Sequence, residues 1–206
     1  MMTVTKNSFP LFGEDREHLI WRSGKKHELL KCPIFRVNEI ERTSQDGKSG
    51  NFLELKCPNW VVVIPVFRDE EGVLRFVMEA QYRHGCEYVT NEFPAGIAEE
   101  GEEAEEAALR ELQEETGIRP RRIKLLGDLN PNPAFMSNRM YVFLAEELEI
   151  VSGQKLDENE EIDVFSIPVE KALSLMGQHS WDSGAIISAS ALYLLEARKR
   201  EEELLK

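Results

Sequence analysis

The longest uninterrupted apolar run lies at Trp60 to Phe67, Trp-Val-Val-Val-Ile-Pro-Val-Phe. Continuous β-branched residues of this length predict a central strand buried on both faces. A polar turn, Arg68 to Gly72, separates it from a second core strand over Val73 to Met78, and Tyr88 to Phe93 reads as a third. The period then changes. An Ala/Glu/Leu-rich run leaves a loop carrying Gly96 and Gly101 and stops at Thr116-Gly117, which predicts a helix capped by Gly117. Strands are predicted at Ile123–Leu129, Met140–Ile150 and Ile162–Ile167. Pro168 opens a helix to about Met176, and a last helix runs from near Ser183 to Leu204 with Ile187, Ala191, Leu194 and Leu195 on one face. Its final turns, Arg198 to Glu203, are charged and expected to be solvated. Upstream, residues 1–27 lack periodicity and are expected to be irregular. Glu28 to Thr43 reads as a strand bent at Pro33, Ser44 to Gly50 as a turn around Asp-Gly, and Phe52 to Cys57 as the returning strand. The chain therefore reads as a β-hairpin segment, 1–58, followed by an α/β/α layered domain with a mixed sheet, 59–206. A hairpin of that size buries little surface alone and needs a partner surface.

Composition narrows the partners. The 206 residues are 42% apolar and 31% charged, ordinary for a globular protein. A formal net charge of −13 argues against nucleic-acid binding, which needs clustered Lys and Arg. An anionic substrate then requires metal ions or a local Arg to offset repulsion. No apolar run approaches the length of a membrane span, and no signal-peptide pattern opens the chain. Cys32, Cys57 and Cys86 are widely spaced and odd in number, which fits a reducing compartment such as the cytoplasm.

The chemistry concentrates on the helix ending at Gly117. Glu111, Glu114 and Glu115 fall on one side of a single turn. Alone they repel; a hard divalent cation such as Mg²⁺ reverses the sign and keeps positions open for phosphate. The same stretch carries Gly96, Glu102, Arg110, Glu111, Leu112, Glu114, Glu115, Gly117 and Ile118 at the spacing Gly, five residues, Glu, seven residues, Arg-Glu-apolar-x-Glu-Glu-x-Gly-apolar. In this it resembles the Nudix hydrolase superfamily and fills that family's box completely. Gln81-Tyr82-Arg83 and Glu92-Phe93-Pro94-Ala95-Gly96 resemble the branch that hydrolyses ADP-ribose and nucleoside diphosphate sugars.

That resemblance implies a Nudix fold and Mg²⁺ (Mn²⁺ as a possible substitute) held by Glu111, Glu114, Glu115 and the Ala95 carbonyl. Arg83 would contact the diphosphate, for which a planar guanidinium is suited. Gly96, Glu102, Arg110 and Gly117 would support the box, with the Glu102–Arg110 pair bracing loop against helix. The acidic run Asp157-Glu158-Asn159-Glu160-Glu161 resembles a loop of bacterial ADP-ribose pyrophosphatases that supplies the general base and a further metal ligand. Position by position these are Glu158 and Glu160, with the choice among Glu158, Glu160 and Glu161 open. Pro133, sixteen residues past Gly117, matches the position marking the ADP-ribose group, although Asn132-Pro133-Ala134 stands where Ser-Pro-Gly is usual. Trp21, Trp60 and Phe135 could stack on a base, core packing being the expected role of each. The activity implied is cleavage of ADP-ribose or a related nucleoside diphosphate sugar to a nucleoside monophosphate and a sugar phosphate. A GDP-mannose-type or broad nucleotide-sugar hydrolase, and a non-catalytic nucleotide-sensing module, are the alternatives. The branch also implies a homodimer, with the N-terminal segment serving dimerisation and the base pocket.

Overall fold

The computed structural model describes residues 16–204 and divides into two compact units between Lys56 and Cys57. The expectation of irregular structure over 1–27 lies outside the described residues as far as residue 15. From there the structure departs from it. One 3₁₀ turn, Glu17–Leu19, precedes a ten-residue strand, β1, Arg22–Lys31. Every side chain of β1 is exposed, so no burial pattern marked it in the sequence. β2 (Arg36–Thr43) and β3 (Ser49–Lys56) complete an antiparallel meander in the order β1-β2-β3. The strand expected to bend at Pro33 is thus two strands. The chain reverses between them, where the Cys32 amide donates to the Phe35 carbonyl at 2.8 Å.

The second unit is built on a mixed sheet. Its main path runs β10 (Ile162–Pro168), β5 (Leu74–Arg83), β4 (Trp60–Arg68), β9 (Met140–Ile150) and β8 (Ile118–Leu129). β6 (Tyr88–Glu92) pairs with β5, and β7 (Ala95–Ile97) with β4. The β4–β9 pairing is parallel and the others are antiparallel. Alternation along β4 separates two cores. Val61 and Val63 join Ala107, Ala108 and Leu112 of helix α1, Ala104–Thr116, on one face. Val62, Ile64 and Val66 join Val169 and Ala172 of α2 (Val169–Leu175) and Ile186, Ala189 and Tyr193 of α3 (Gly184–Leu204) on the other. The result is the expected α/β/α sandwich. Phe76 lies between Phe93 and Tyr193, with edge-on ring contacts of 5.1 and 4.9 Å.

Two details of β4 and α1 position the site. β4 forks: Val61 and Val62 pair with Gly96 and Ala95 of β7, whereas Val66 to Arg68 pair with Phe76 to Leu74 of β5. The Phe93-Pro94 step spans the fork, and the Pro94 carbonyl accepts from the Val63 amide at 2.8 Å. Pro65 lies between the two ladders. Amides of alternate β4 residues face opposite sides, Trp60 toward the β9 side and Val63 toward β7. Pro65 shares the parity of Val63, so its missing N–H points into the fork, where no ladder bond is needed. α1 ends at Gly117 in the left-handed conformation, φ 72°, its amide donating to Gln113 O at 2.9 Å. A Cβ there would stand 2.2 Å from the Ser152 carbonyl oxygen. β8 follows at once, five residues earlier than its apolar pattern suggested. No described helix is long and apolar enough to cross a membrane.

Candidate active site

The loop before α1 is fastened to the helix by one arginine. Arg110 donates through Nε and Nη2 to the two oxygens of Glu102, each at 2.9 Å, and through Nη2 to the Ile97 carbonyl at 3.0 Å. Its Nη1 meets Glu111 at 2.9 Å and Glu114 at 3.1 Å. The two hydrogen bonds from Arg110 hold the Glu102 carboxyl below its ordinary range. Glu111 and Glu115 face the β7 backbone instead of solvent. Glu111 Oε1 accepts from the Ile97 amide at 3.2 Å, and Glu115 Oε2 from the Ala95 amide at 3.0 Å. Burial pushes the Glu111 carboxyl up, against the pull of Arg110. Glu115 is pushed up further, by burial and by the charges of Glu79 and Glu111.

Arg83 closes β5. It donates a fork of two hydrogen bonds to Glu92 across the β5–β6 ladder, at 3.0 and 2.8 Å. Burial opposes ionisation of Glu92, but Arg83 holds its carboxyl below the ordinary range. Glu115 and Glu79 add their charges to the surroundings of Arg83. A cleft of about 480 Å³ opens here, lined by Trp60, Arg83, Glu92, Ala95, Gly96 and Asp182 among others. Tyr88 also lines it, and its hydroxyl donates to the Asp182 carboxylate at 2.9 Å.

Residues 58–188 match the model of the NUDIX domain. The chain belongs to the Nudix family. It is a Nudix hydrolase, and curated relatives agree along most of its length. An ADP-ribose pyrophosphatase of Bacillus subtilis (strain 168) is 34% identical over 189 residues, covering 89% of this chain and 97% of that one. A methanol dehydrogenase activator of Bacillus methanolicus is 32% identical over 181 residues, covering 86% and 95%. Among solved structures, one titled as an ADP compounds hydrolase superposes with a TM-score of 0.74 over 87% of this chain and 95% of that one; at 21% identity it supports the fold alone.

Within this Nudix hydrolase the predicted residues are distributed unevenly. Ala95, Gly96, Glu111 and Glu115 stand together, with Arg83 beside them. Glu160 of the acidic loop adds its charge to both Glu79 and Glu115, because the loop runs directly into β10, whose Ile162 pairs with Gln81 of β5. Glu158 and Glu161 are exposed. Glu160 also accepts from the Asp157 amide, 3.1 Å away. Pro133 is exposed in the loop after β8 and does not line the cleft. Of the three aromatics expected in the core, Trp60 lines the cleft, Phe135 is largely exposed, and Trp21 packs edge-on against Phe52 in the N-terminal unit.

Sequence reasoning missed Glu79, which burial pushes up despite Arg83 nearby. It sits in an apolar strand run, and its one signal is being the wrong residue type for the position. It also missed the pairing of Arg83 with Glu92, legible only once β5 and β6 are known to be adjacent.

Nudix hydrolases generally use divalent metal ions, and the residues present fit one in kind. Glu115 and the three carboxylates whose charges bear on it, Glu79, Glu111 and Glu160, are hard oxygen donors, and Glu79 Oε1 is buried without a hydrogen-bond partner. They are not already convergent: among the described residues no three His, Cys, Asp or Glu are arranged to hold an ion. Glu111 and Glu114 are turned onto Arg110.

Proposed function

We propose that this protein hydrolyses the diphosphate of ADP-ribose or a related nucleoside diphosphate sugar, using Mg²⁺, with Mn²⁺ able to substitute. The products would be a nucleoside monophosphate and a sugar phosphate. The observation that carries the reading is one juxtaposition: Arg83 in the lining of the cleft, with the half-buried Glu111 and the buried Glu115 held on the backbone of Ala95 to Ile97. The full-length similarity to the B. subtilis ADP-ribose pyrophosphatase supports the substrate class.

In this reading Glu111, Glu115, the Ala95 carbonyl and Glu160 hold the ion, with Glu114 alongside. When bound, the ion activates water and neutralises charge on the diphosphate. Arg83 orients the diphosphate through the Nη hydrogens that its fork to Glu92 leaves over, and Glu92 fixes the guanidinium plane in advance. Glu158 or Glu160 takes the proton of the attacking water. Pro133 and the N-terminal segment contribute to choosing base and sugar, and the chain works as a cytoplasmic homodimer.

The test is a panel of ADP-ribose, ADP-glucose, GDP-mannose and dinucleoside polyphosphates with Mg²⁺, scored by phosphate release with a coupled phosphatase. ADP-ribose should turn over fastest, and Glu111→Gln should lower turnover at least about 100-fold with the circular dichroism spectrum unchanged. No turnover of any diphosphate by the wild type would overturn the reading in favour of a sensing module.

A further inference from the structure

β5 carries a carboxylate where its pattern calls for an apolar side chain. Phe76, Val77 and Met78 are buried, and Glu79 is as buried as they are, at 4% exposed. Alternation puts it on the face of Val77, the face that α1 covers. Directly opposite on β6 stands Glu92, and like charges facing each other across a ladder are destabilising. Arg83 gives both of its hydrogen bonds in this pair to Glu92, and its charge reaches Glu79 without outweighing burial. Opposite on β10 is Val164, which offers no polar group of its own side chain. Glu79 Oε1 is enclosed and has no hydrogen-bond partner, and the carboxyl lies within hydrogen-bonding reach of Glu115. Glu160 directs a further negative charge at both.

A buried carboxyl with an unpaired oxygen costs folding stability whether charged or neutral, and a valine at 79 would complete the strand with none of that cost. Folding therefore gives no account of Glu79. A ligand at the same spot does, because an unpaired oxygen beside Glu115 becomes a donor once a cation is present.

We propose that Glu79 is a further ligand of the divalent cation, contributed by the sheet to join Glu111 and Glu115 of α1. It lies outside the box, and the proposal rests on the divalent-metal reading above. An ion held this way is gripped by two elements, so its binding fastens α1 to β5 as well as activating the site.

Mn²⁺ binding to the full chain is measured by titration calorimetry for the wild type, Glu79→Gln and Glu79→Val, with thermal unfolding of each in EDTA and in Mn²⁺. The wild type should bind Mn²⁺, and both variants should lose about tenfold or more in affinity. In EDTA, Glu79→Val should melt above the wild type, since the buried repulsion is gone, and its Mn²⁺-induced rise in Tm should shrink. Should Glu79→Val fail to fold, the isosteric Glu79→Gln carries the test. Unchanged Mn²⁺ affinity in a folded variant overturns the proposal and leaves the metal reading standing. A wild type that binds no Mn²⁺ overturns both. A wild type that binds Mn²⁺ and hydrolyses no diphosphate sinks the activity alone, and the Glu79 comparison still decides.

Discussion

Gly96 is fixed by space, not by backbone conformation. A Cβ there would lie 2.0 Å from Glu111 Cδ and 2.1 Å from its Oε1. The glycine lets a carboxylate lie flat on the β7 backbone, which is how Glu111 reaches the Ile97 amide. Gly96→Ala should displace Glu111, costing about 1–3 kcal/mol of stability by overpacking and at least about tenfold in kcat. Steady-state kinetics beside a thermal melt check it; full activity would mean that Glu111 is not held by this contact. Spacing made Gly96, Glu102, Arg110, Glu111 and Glu115 legible as a group before any coordinates. Glu79 was illegible, because strand periodicity reports burial and says nothing about why a charge is buried. Pro133 was legible only by its spacing from Gly117; it is exposed in the loop after β8 and is not part of the cleft lining.

Elements were legible where burial gave them a period. β4, β9 and α1 were, whereas β1 exposes every side chain and β7 is three residues long, leaving nothing to read. The last turns of α3 are exposed as expected at Arg198, Lys199 and Glu201 to Glu203, with one exception. Arg200 is not simply solvated: it donates two hydrogen bonds to Glu146 on β9, at 2.7 and 3.0 Å, and one to Glu196 at 2.9 Å. Arg122 of β8 adds a third bond to Glu146 at 3.2 Å. The bonds from Arg200 hold the Glu146 carboxyl below its ordinary 4.5. Because the folded value is depressed, the stabilisation is complete above the unfolded value and is lost as pH falls through the folded one. Glu146→Gln should therefore cost about 1 kcal/mol at neutral pH, the pair being partly solvent-screened. That gap should close as pH is lowered below the ordinary carboxylate value and through the depressed one. Urea melts of both proteins across pH test the sign; a gap that widens in acid would contradict it.

At the scale of the molecule, layers were legible and topology was not. Apolar runs announced a buried sheet with helices on both faces, but nothing in them said that β4 would pair parallel with β9. The N-terminal unit exposes Leu29, Leu30, Ile34, Phe52 and Leu53, each about half or more accessible. A small meander with so much apolar surface supports the proposed homodimer. Light scattering at micromolar concentration should give a mass near twice the 23.6 kDa of one chain, and a monomer would rule the dimer out. The fork in β4 has its own consequence. Had residue 65 an amide hydrogen, that donor would point into the gap and invite the β5 ladder to continue from Val66 toward the cleft. Pro65 withholds it, so the ladder stops at Val66 and the Pro94 carbonyl is left to take the Val63 amide: the fork is kept by an atom the chain does not possess.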